Sequence, residues 1–532
     1  MLLLHKYKII DVMSVYPTNI NDSACNIDYI AHHATANVNL KSVYLLTMLQ
    51  VVEIVVNQIF SWIYQLYIRN SLRKFFVYTV KLYSKLHIAK KFCYKLPKNA
   101  KISLARDWMN KYRKRLVDTI LEEKLLYSGA VLIEGAKWCG KTTTAKQSAK
   151  SSIFIDDIEL VGGYISQAEI NPSILLKGDT PRLIDEWQLA PQLWDVARRE
   201  IDRRQSFGNF IFTGSSVPAD STKIFHSGTG RFAWLKMRTM SLFESNESTG
   251  DVSLGDLFNA TDNISGVCKF DINNLAYQIC RGGWPQSIDL PSDIALKIST
   301  NYYDALINSD INRVDGISKN PERVKRLMRS FSRNLCAQTS INTILNDVKE
   351  SETINISDET IYRYINALKN MFVIEDMPSW NPNLRSKTAT RTSDTRYFTD
   401  PSIACAALGI CPDDLINDLN TFGLMFENLC VRDLRVYSQS LDASVYHYRD
   451  ANGLECDSVI HKRNGSYGLV EIKLGGEKLI EEGAKNLLKL EKIIDTSKMK
   501  APSFLMIIVG VGQYAYKRKD GICVVPIGCL RN

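Results

Sequence analysis

The stretch AVLIEGAKWCGKTTTAK, Ala130 to Lys146, holds the residues whose types and spacing most plainly suit chemistry. A short apolar run leads into Gly135, and Gly140, Lys141 and Thr142 complete a G-x-x-x-x-G-K-T spacing ahead of a helix-compatible segment. Glycines there let backbone N–H groups wrap phosphate oxygens at a helix N-terminus. The lysine reaches the β- and γ-phosphates, and the threonine offers its hydroxyl to Mg²⁺. The expected ATP contacts are Gly135, Lys137, Cys139, Gly140, Lys141, Thr142 and Thr143, with Mg²⁺ as the second cofactor.

A partner for this loop follows in TPRLIDEWQLAP, where Asp185 and Glu186 end a short apolar stretch. Asp185 is expected to hold Mg²⁺ through water and Glu186 to polarise the attacking water. An adjacent acidic pair is common on surfaces, and only the preceding phosphate loop gives this one meaning. NFIFTGSS reads as a further buried strand ending in hydroxyls, with Thr213 or Ser215 as a sensor of the γ-phosphate. In HSGTGRF, Arg231 on a glycine-flanked loop is either an arginine finger, in cis or in trans, or a structural ion pair.

A second set of chemical residues lies near the end of the chain. LECDSVIHKRNGSYGLVEIKLGG reads as two strands joined by a turn, with Asp457 on the first and Glu471 and Lys473 on the second. Period-two alternation puts Glu471 and Lys473 on one face. An amphipathic helix bearing Glu427 and the strand VYHYRD precede the ribbon, and a helix and the buried strand SFLMIIVG follow it. This succession resembles the PD-(D/E)XK nuclease fold. The resemblance implies that Asp457, Glu471 and Glu427 hold Mg²⁺ and that Lys473 orients water or stabilises the phosphorane. Cys456 stands where that motif nominally has proline, and such a fold can keep its acids while only binding.

Other elements must position these residues. Pro321 to Pro378 reads as three helices and a β-rich turn, the third helix capped by Ser357, which is the plan of a winged helix. Its expected exposed face, Tyr362, Arg363, Asn366, Lys369 and Asn370, suits DNA or a packing partner.

The net charge of +9 belongs to one place, since residues 69–115 carry fifteen Lys or Arg against a single acid, Asp107. Before it, residues 43–68 are apolar with a polar stripe, Thr47, Gln50, Glu53, Asn57, Ser61 and Gln65. That pattern suits an amphipathic helix on a membrane or partner better than a spanning one, because Glu53 would sit near the bilayer centre. Residues 1–108 are otherwise an extension without a motif. Twelve cysteines without a C-x-x-C pair suggest reduced thiols in a cytoplasmic protein.

Taken together, LIEGAKWCGKTTTA, RLIDEWQ, FTGSS, GTGRF and MSLFES resemble the bacterial and archaeal AAA-type ATPases fused to a C-terminal nuclease-like domain. GGWPQ, DPSIA and FGLMFENLCVRDLR extend the resemblance over about residues 110–532. The implied fold class is α/β. A P-loop parallel-sheet ATPase occupies 109–265, a helical lid and winged helix 266–385, and a restriction-endonuclease-like domain 386–532. The leading function is Mg²⁺-dependent ATP hydrolysis coupled to a nucleic-acid-acting module, with DNA and a homo-oligomer as partners. The alternatives are an ATP-dependent switch that binds DNA or protein without cutting, and a membrane-tethered ATPase.

Overall fold

The computed structural model describes residues 112–215, 226–259, 264–312, 319–350, 357–382 and 393–532. The apolar segment 43–68 and most of the basic run after it lie outside the described residues. Among the described residues no helix is long and apolar enough to cross a membrane.

Helix α1 (Leu116–Tyr127) leads into β1 (Ala130–Glu134), α2 (Lys141–Ser148), β2 (Ser151–Phe154) and α3 (Val161–Ile170). Then come β3 (Arg182–Asp185), α4 (Leu193–Arg204), β4 (Phe210–Gly214) and β5 (Phe232–Lys236). The five strands are all parallel, in the order β2-β3-β4-β1-β5. β4 is buried throughout and β1 nearly so, which is why they read as unbroken apolar runs rather than alternating ones. Their side chains still divide by face. Leu132, Ile184, Phe210 and Phe212 pack with Trp187 and Trp194 on one side, while Val131, Ile133, Leu183 and Ile211 pack with Leu121 and Ala145 on the other. The register aligns Ile133 with Thr213 and Asp185 with Thr213, so the carboxyl ends of three strands meet beside the loop after β1. Ligands in open parallel sheets bind at that edge.

After β5 the chain forms β6 (Val252–Ser253), α5 (Leu254–Leu257) and β7 (Gly266–Val267). β6 and α5 lie within the stretch to 265 expected to belong with the ATPase, and β7 lies just beyond it. β6 pairs with the last strand of the chain, and β7 joins the edge of the C-terminal sheet. Two-residue strands have no readable period, and their partners lie more than 240 residues away.

A helical block follows: α6 (Ile272–Arg281), α7 (Ser292–Asn308), α8 (Pro321–Arg333), α9 (Ile341–Glu350) and α10 (Asp358–Asn370). Asn320 caps α8 ahead of Pro321, and the Ser357 hydroxyl accepts the Thr360 N–H at 3.3 Å to cap α10. Antiparallel bridges Ile374–Phe398 and Met377–Thr395 come next. α11 (Pro401–Leu408) packs on α8, α6 and α7, and α12 (Pro412–Asn417) on α6. Residues 401–417 thus pack on the helical block, across the expected boundary at 385/386.

The last region is α13 (Leu419–Ser440), β8 (Ala443–Arg449), β9 (Glu455–Lys462), β10 (Tyr467–Gly475), α14 (Glu477–Ile493), β11 (Phe504–Val511), β12 (Tyr514–Lys517), β13 (Cys523–Pro526) and β14 (Leu530–Arg531). β8, β9 and β10 form an antiparallel meander, and α14 carries the chain to β11, parallel to β10. The full sheet runs β7-β12-β13-β11-β10-β9-β8.

Candidate functional site

The loop after β1 is held open by its backbone. A Cβ on Gly135 would fall 2.0 Å from the Met237 carbonyl, and Gly140 has φ +106, so both positions need glycine. Arg115, 4% exposed, braces the loop from behind: it donates to the Cys139 carbonyl at 3.0 Å and the Arg238 carbonyl at 2.9 Å, and pairs with Glu244 at 3.1 Å. Lys141 is buried and donates to the Gly135 and Ala136 carbonyls at 2.8 and 2.9 Å. Thr143 is exposed on the first turn of α2, and the Cys139 thiol turns inward to the Met237 carbonyl at 3.6 Å. What Cys139 offers a phosphate is therefore its backbone. Lys137 points away from the loop to Asp310 of the helical block, at 3.0 Å.

Next to the loop, the Thr142 hydroxyl donates to Asp185 at 2.9 Å, and Thr213 donates to the same carboxylate. Burial pushes the Asp185 carboxyl up, against the pull of those two hydroxyls, and the charges of Glu186 and Asp156 add to the rise. A hydroxyl and a desolvated carboxylate in contact form a hard-oxygen donor set that suits Mg²⁺. Glu186 follows in left-handed backbone (φ +52), and its carboxylate accepts from Ser215 at 3.1 Å and from Gln188.

Arg231 is not brought to this site within its own chain. Its carbonyl accepts the Ala130 N–H at the start of β1, and its side chain pairs with Asp202 at 2.9 Å in solvent. The loop before a parallel strand lies on the edge opposite the loop after one, so Arg231 and the phosphate loop flank the sheet from two sides.

The second cluster does assemble. Lys473 lies 2.6 Å from Glu471 and 3.4 Å from Asp457, whose carboxylate also accepts the Ile472 N–H at 2.7 Å. Glu427, on α13, accepts from the Tyr397 hydroxyl at 2.6 Å. Burial and the nearby Asp457 charge push Glu427 up to about 8. The same two causes push Glu471 well up despite Lys473. Burial disfavours the Lys473 ammonium, yet Asp457 and Glu471 outweigh it and raise its value. Among the described residues no group of three or more His, Cys, Asp or Glu side chains is placed to hold a metal ion. The acids face a lysine instead.

Glu375 was not expected at all. Arg238, two residues past β5, grips it with contacts of 2.6 and 2.9 Å; Lys236 lies at 3.4 Å and Arg435 of α13 at 3.6 Å. Burial alone would raise this carboxyl, but Arg238, Arg435 and Lys236 hold it well below the usual range. A cavity of about 280 Å³ lined by Gly135, Lys236, Arg238, Glu375 and Asp376 opens between this hub and the phosphate loop.

Residues 127–246 match the family model described as AAA domain, and the five-stranded parallel sheet with its phosphate-loop motif lies within this segment. Residues 272–414 match a domain of unknown function (DUF8612) and residues 422–530 another (DUF4143). No curated protein matches the chain. Among solved structures, a Walker-type ATPase of Pyrococcus abyssi is similar over 56% of this chain and 96% of its own, at 15% identity and a TM-score of 0.34.

Proposed function

We propose that the protein is a Mg²⁺-dependent ATPase whose nucleotide state is passed to a nuclease-like C-terminal domain that binds DNA or a protein partner without cutting it. The observation carrying the ATPase half is the meeting of Thr142, Asp185 and Thr213 beside the phosphate loop. In this reading Thr142 and Asp185 hold Mg²⁺, which neutralises charge on the phosphates. Lys141 leaves its own loop carbonyls for the phosphates, the backbone from Gly135 to Gly140 wraps them, and Glu186 takes the proton of the attacking water.

Two contacts support transmission. Lys137 links the loop to Asp310 of the helical block. Glu375 links the end of β5 to Arg435, eight residues along α13 from Glu427, or about 12 Å at 1.5 Å per helical residue. Movement at the phosphate loop would thus reach the C-terminal acids through one rigid helix.

The order helix, three antiparallel strands, helix, parallel strand supports a nuclease-like fold for α13 to β11. Lys473 between Asp457 and Glu471 favours binding over cleavage, because the ammonium fills the place a cation would take. Helices α8 to α10 with their two antiparallel bridges support a winged helix. On α10, Tyr362, Arg363, Asn366 and Asn370 are exposed, but Arg363 contacts Glu359 at 3.5 Å and Lys369 contacts Asp376 at 2.6 Å. DNA contact there would use the neutral side chains first. Arg231 would serve catalysis only from a second copy, which makes a homo-oligomer part of the proposal.

The test is ATP turnover by the full chain with and without Mg²⁺, beside incubation with labelled single- and double-stranded DNA in Mg²⁺ or Mn²⁺. Mg²⁺-dependent turnover with DNA bound but uncut is the expected result. Cleavage that disappears in Lys473→Ala would overturn the binding-only half of the proposal.

A further inference from the structure

Gln188 sits two residues beyond Glu186, in the 3₁₀ turn Trp187–Leu189 that starts from the left-handed Glu186. A non-glycine residue holds that backbone only where its surroundings impose it. The turn folds Gln188 back, so that its amide N–H donates to the same Glu186 oxygen that Ser215 contacts at 3.1 Å. The other end of the amide is unmatched: Gln188 Oε1 is buried without a hydrogen-bond partner. It lies against Gly214, where a Cβ would come within 2.8 Å of it and 3.0 Å of Trp187 Nε1. A buried acceptor left unmade is costly, and this amide is satisfied on one side only.

We propose that Gln188 is a positioning residue, a latch that parks the Glu186 carboxylate away from the attacking water until nucleotide is bound. The proposal rests on the reading of Glu186 as the group that takes the water proton. Two neutral donors hold the parked carboxylate, and one of them, Ser215, is a hydroxyl expected to face the γ-phosphate. Where Ser215 rather than Thr213 is the sensor, phosphate and Glu186 compete for its hydroxyl. Once Ser215 turns to phosphate, only the half-satisfied Gln188 amide retains Glu186. Neutral donors hold a carboxylate more weakly than a charged partner would, which is what a releasable latch needs.

The test compares the full chain with Gln188→Met, which has similar size and no donor, and Gln188→Glu, whose charge repels Glu186. Each is measured alone and combined with Glu186→Gln, with thermal melts to confirm folding. The latch predicts that kcat rises about 3- to 10-fold in both folded single variants, with KM for ATP within about twofold, and that the rise vanishes in the double variants. Unchanged or lower kcat in whichever single variant folds, with Glu186→Gln inactive, overturns the latch alone. Full turnover in Glu186→Gln overturns the role of Glu186, and the latch with it.

Discussion

Two carboxylate clusters in this chain use the same residue types and are neutralised in opposite ways. Asp185 and Glu186 are held by Thr142, Thr213, Ser215 and Gln188, all uncharged donors. On the proposed reading, that leaves their site a deficit of positive charge for Mg²⁺ and Lys141 to fill when phosphates arrive. Glu427, Asp457 and Glu471 sit deeper and are balanced from within, by Lys473 at 2.6 and 3.4 Å, while burial raises Glu427 to about 8 and pushes Glu471 up. On the proposed reading, the difference between the two sets of acids lies in whether their internal partners leave room for a cation.

The largest expected effect is at Lys141. Lys141→Ala should lower ATP turnover about 100-fold or more, because no described side chain can replace this phosphate contact. Turnover close to wild type would break the comparison at its first member. Asp185→Asn should keep the fold, since Thr142 and Thr213 can still bond an amide, yet remove the Mg²⁺ dependence of turnover. Equal stimulation by Mg²⁺ in variant and wild type would count against Asp185 as the metal-holding acid.

Between the two clusters, Glu375→Ala would leave Arg238 and Arg435 facing each other without the carboxylate they share. Breaking a buried ion pair in this manner costs about 3–5 kcal/mol, to be read from urea denaturation. A loss within error would show that the hub does not bind the regions together.

The pH dependence sharpens the C-terminal side. Glu427 is raised from its ordinary 4.5 to about 8, so between those values the folded protein holds a proton that the unfolded chain has released. Its contribution is fully present below about 4.5 and is lost as pH climbs through about 8. Glu427→Gln should flatten the fall in denaturation midpoint over that window, and an unaltered pH profile would contradict the assignment. The smallest expected effect is that of Lys473→Ala on basal ATP turnover, about twofold or less, since the lysine touches only C-terminal acids.

Local signals made the phosphate-loop motif legible. The apolar run of β1, the two glycines and the Lys-Thr pair are contiguous, and each has a fixed physical job. Asp185 could be found because it ends a buried strand, and Ser357 because a cap acts on residues three positions away. The helix, ribbon, helix and strand around Lys473 could also be read, but not the internal pairing that alters their meaning. Arg231 shows a different limit. Its glycine-flanked loop suggests catalysis, while strand polarity places any loop before β5 on the far edge. Arg115 and Glu375 were hidden because a charged residue in a basic run or after a helix looks solvated until distant partners bury it. The pairings of β6 and β7 were hidden for the same reason, since their partners lie at the other end of the sequence.

The most direct test is a titration of Mn²⁺ into the full chain, with and without a non-hydrolysable ATP analogue, in wild type, Asp185→Asn and Asp457→Asn. The account predicts one tight Mn²⁺ per chain, seen only with nucleotide, lost in Asp185→Asn and kept in Asp457→Asn. A nucleotide-independent Mn²⁺ that survives Asp185→Asn and disappears in Asp457→Asn would contradict it, and would make the lysine-filled cluster a metal site after all.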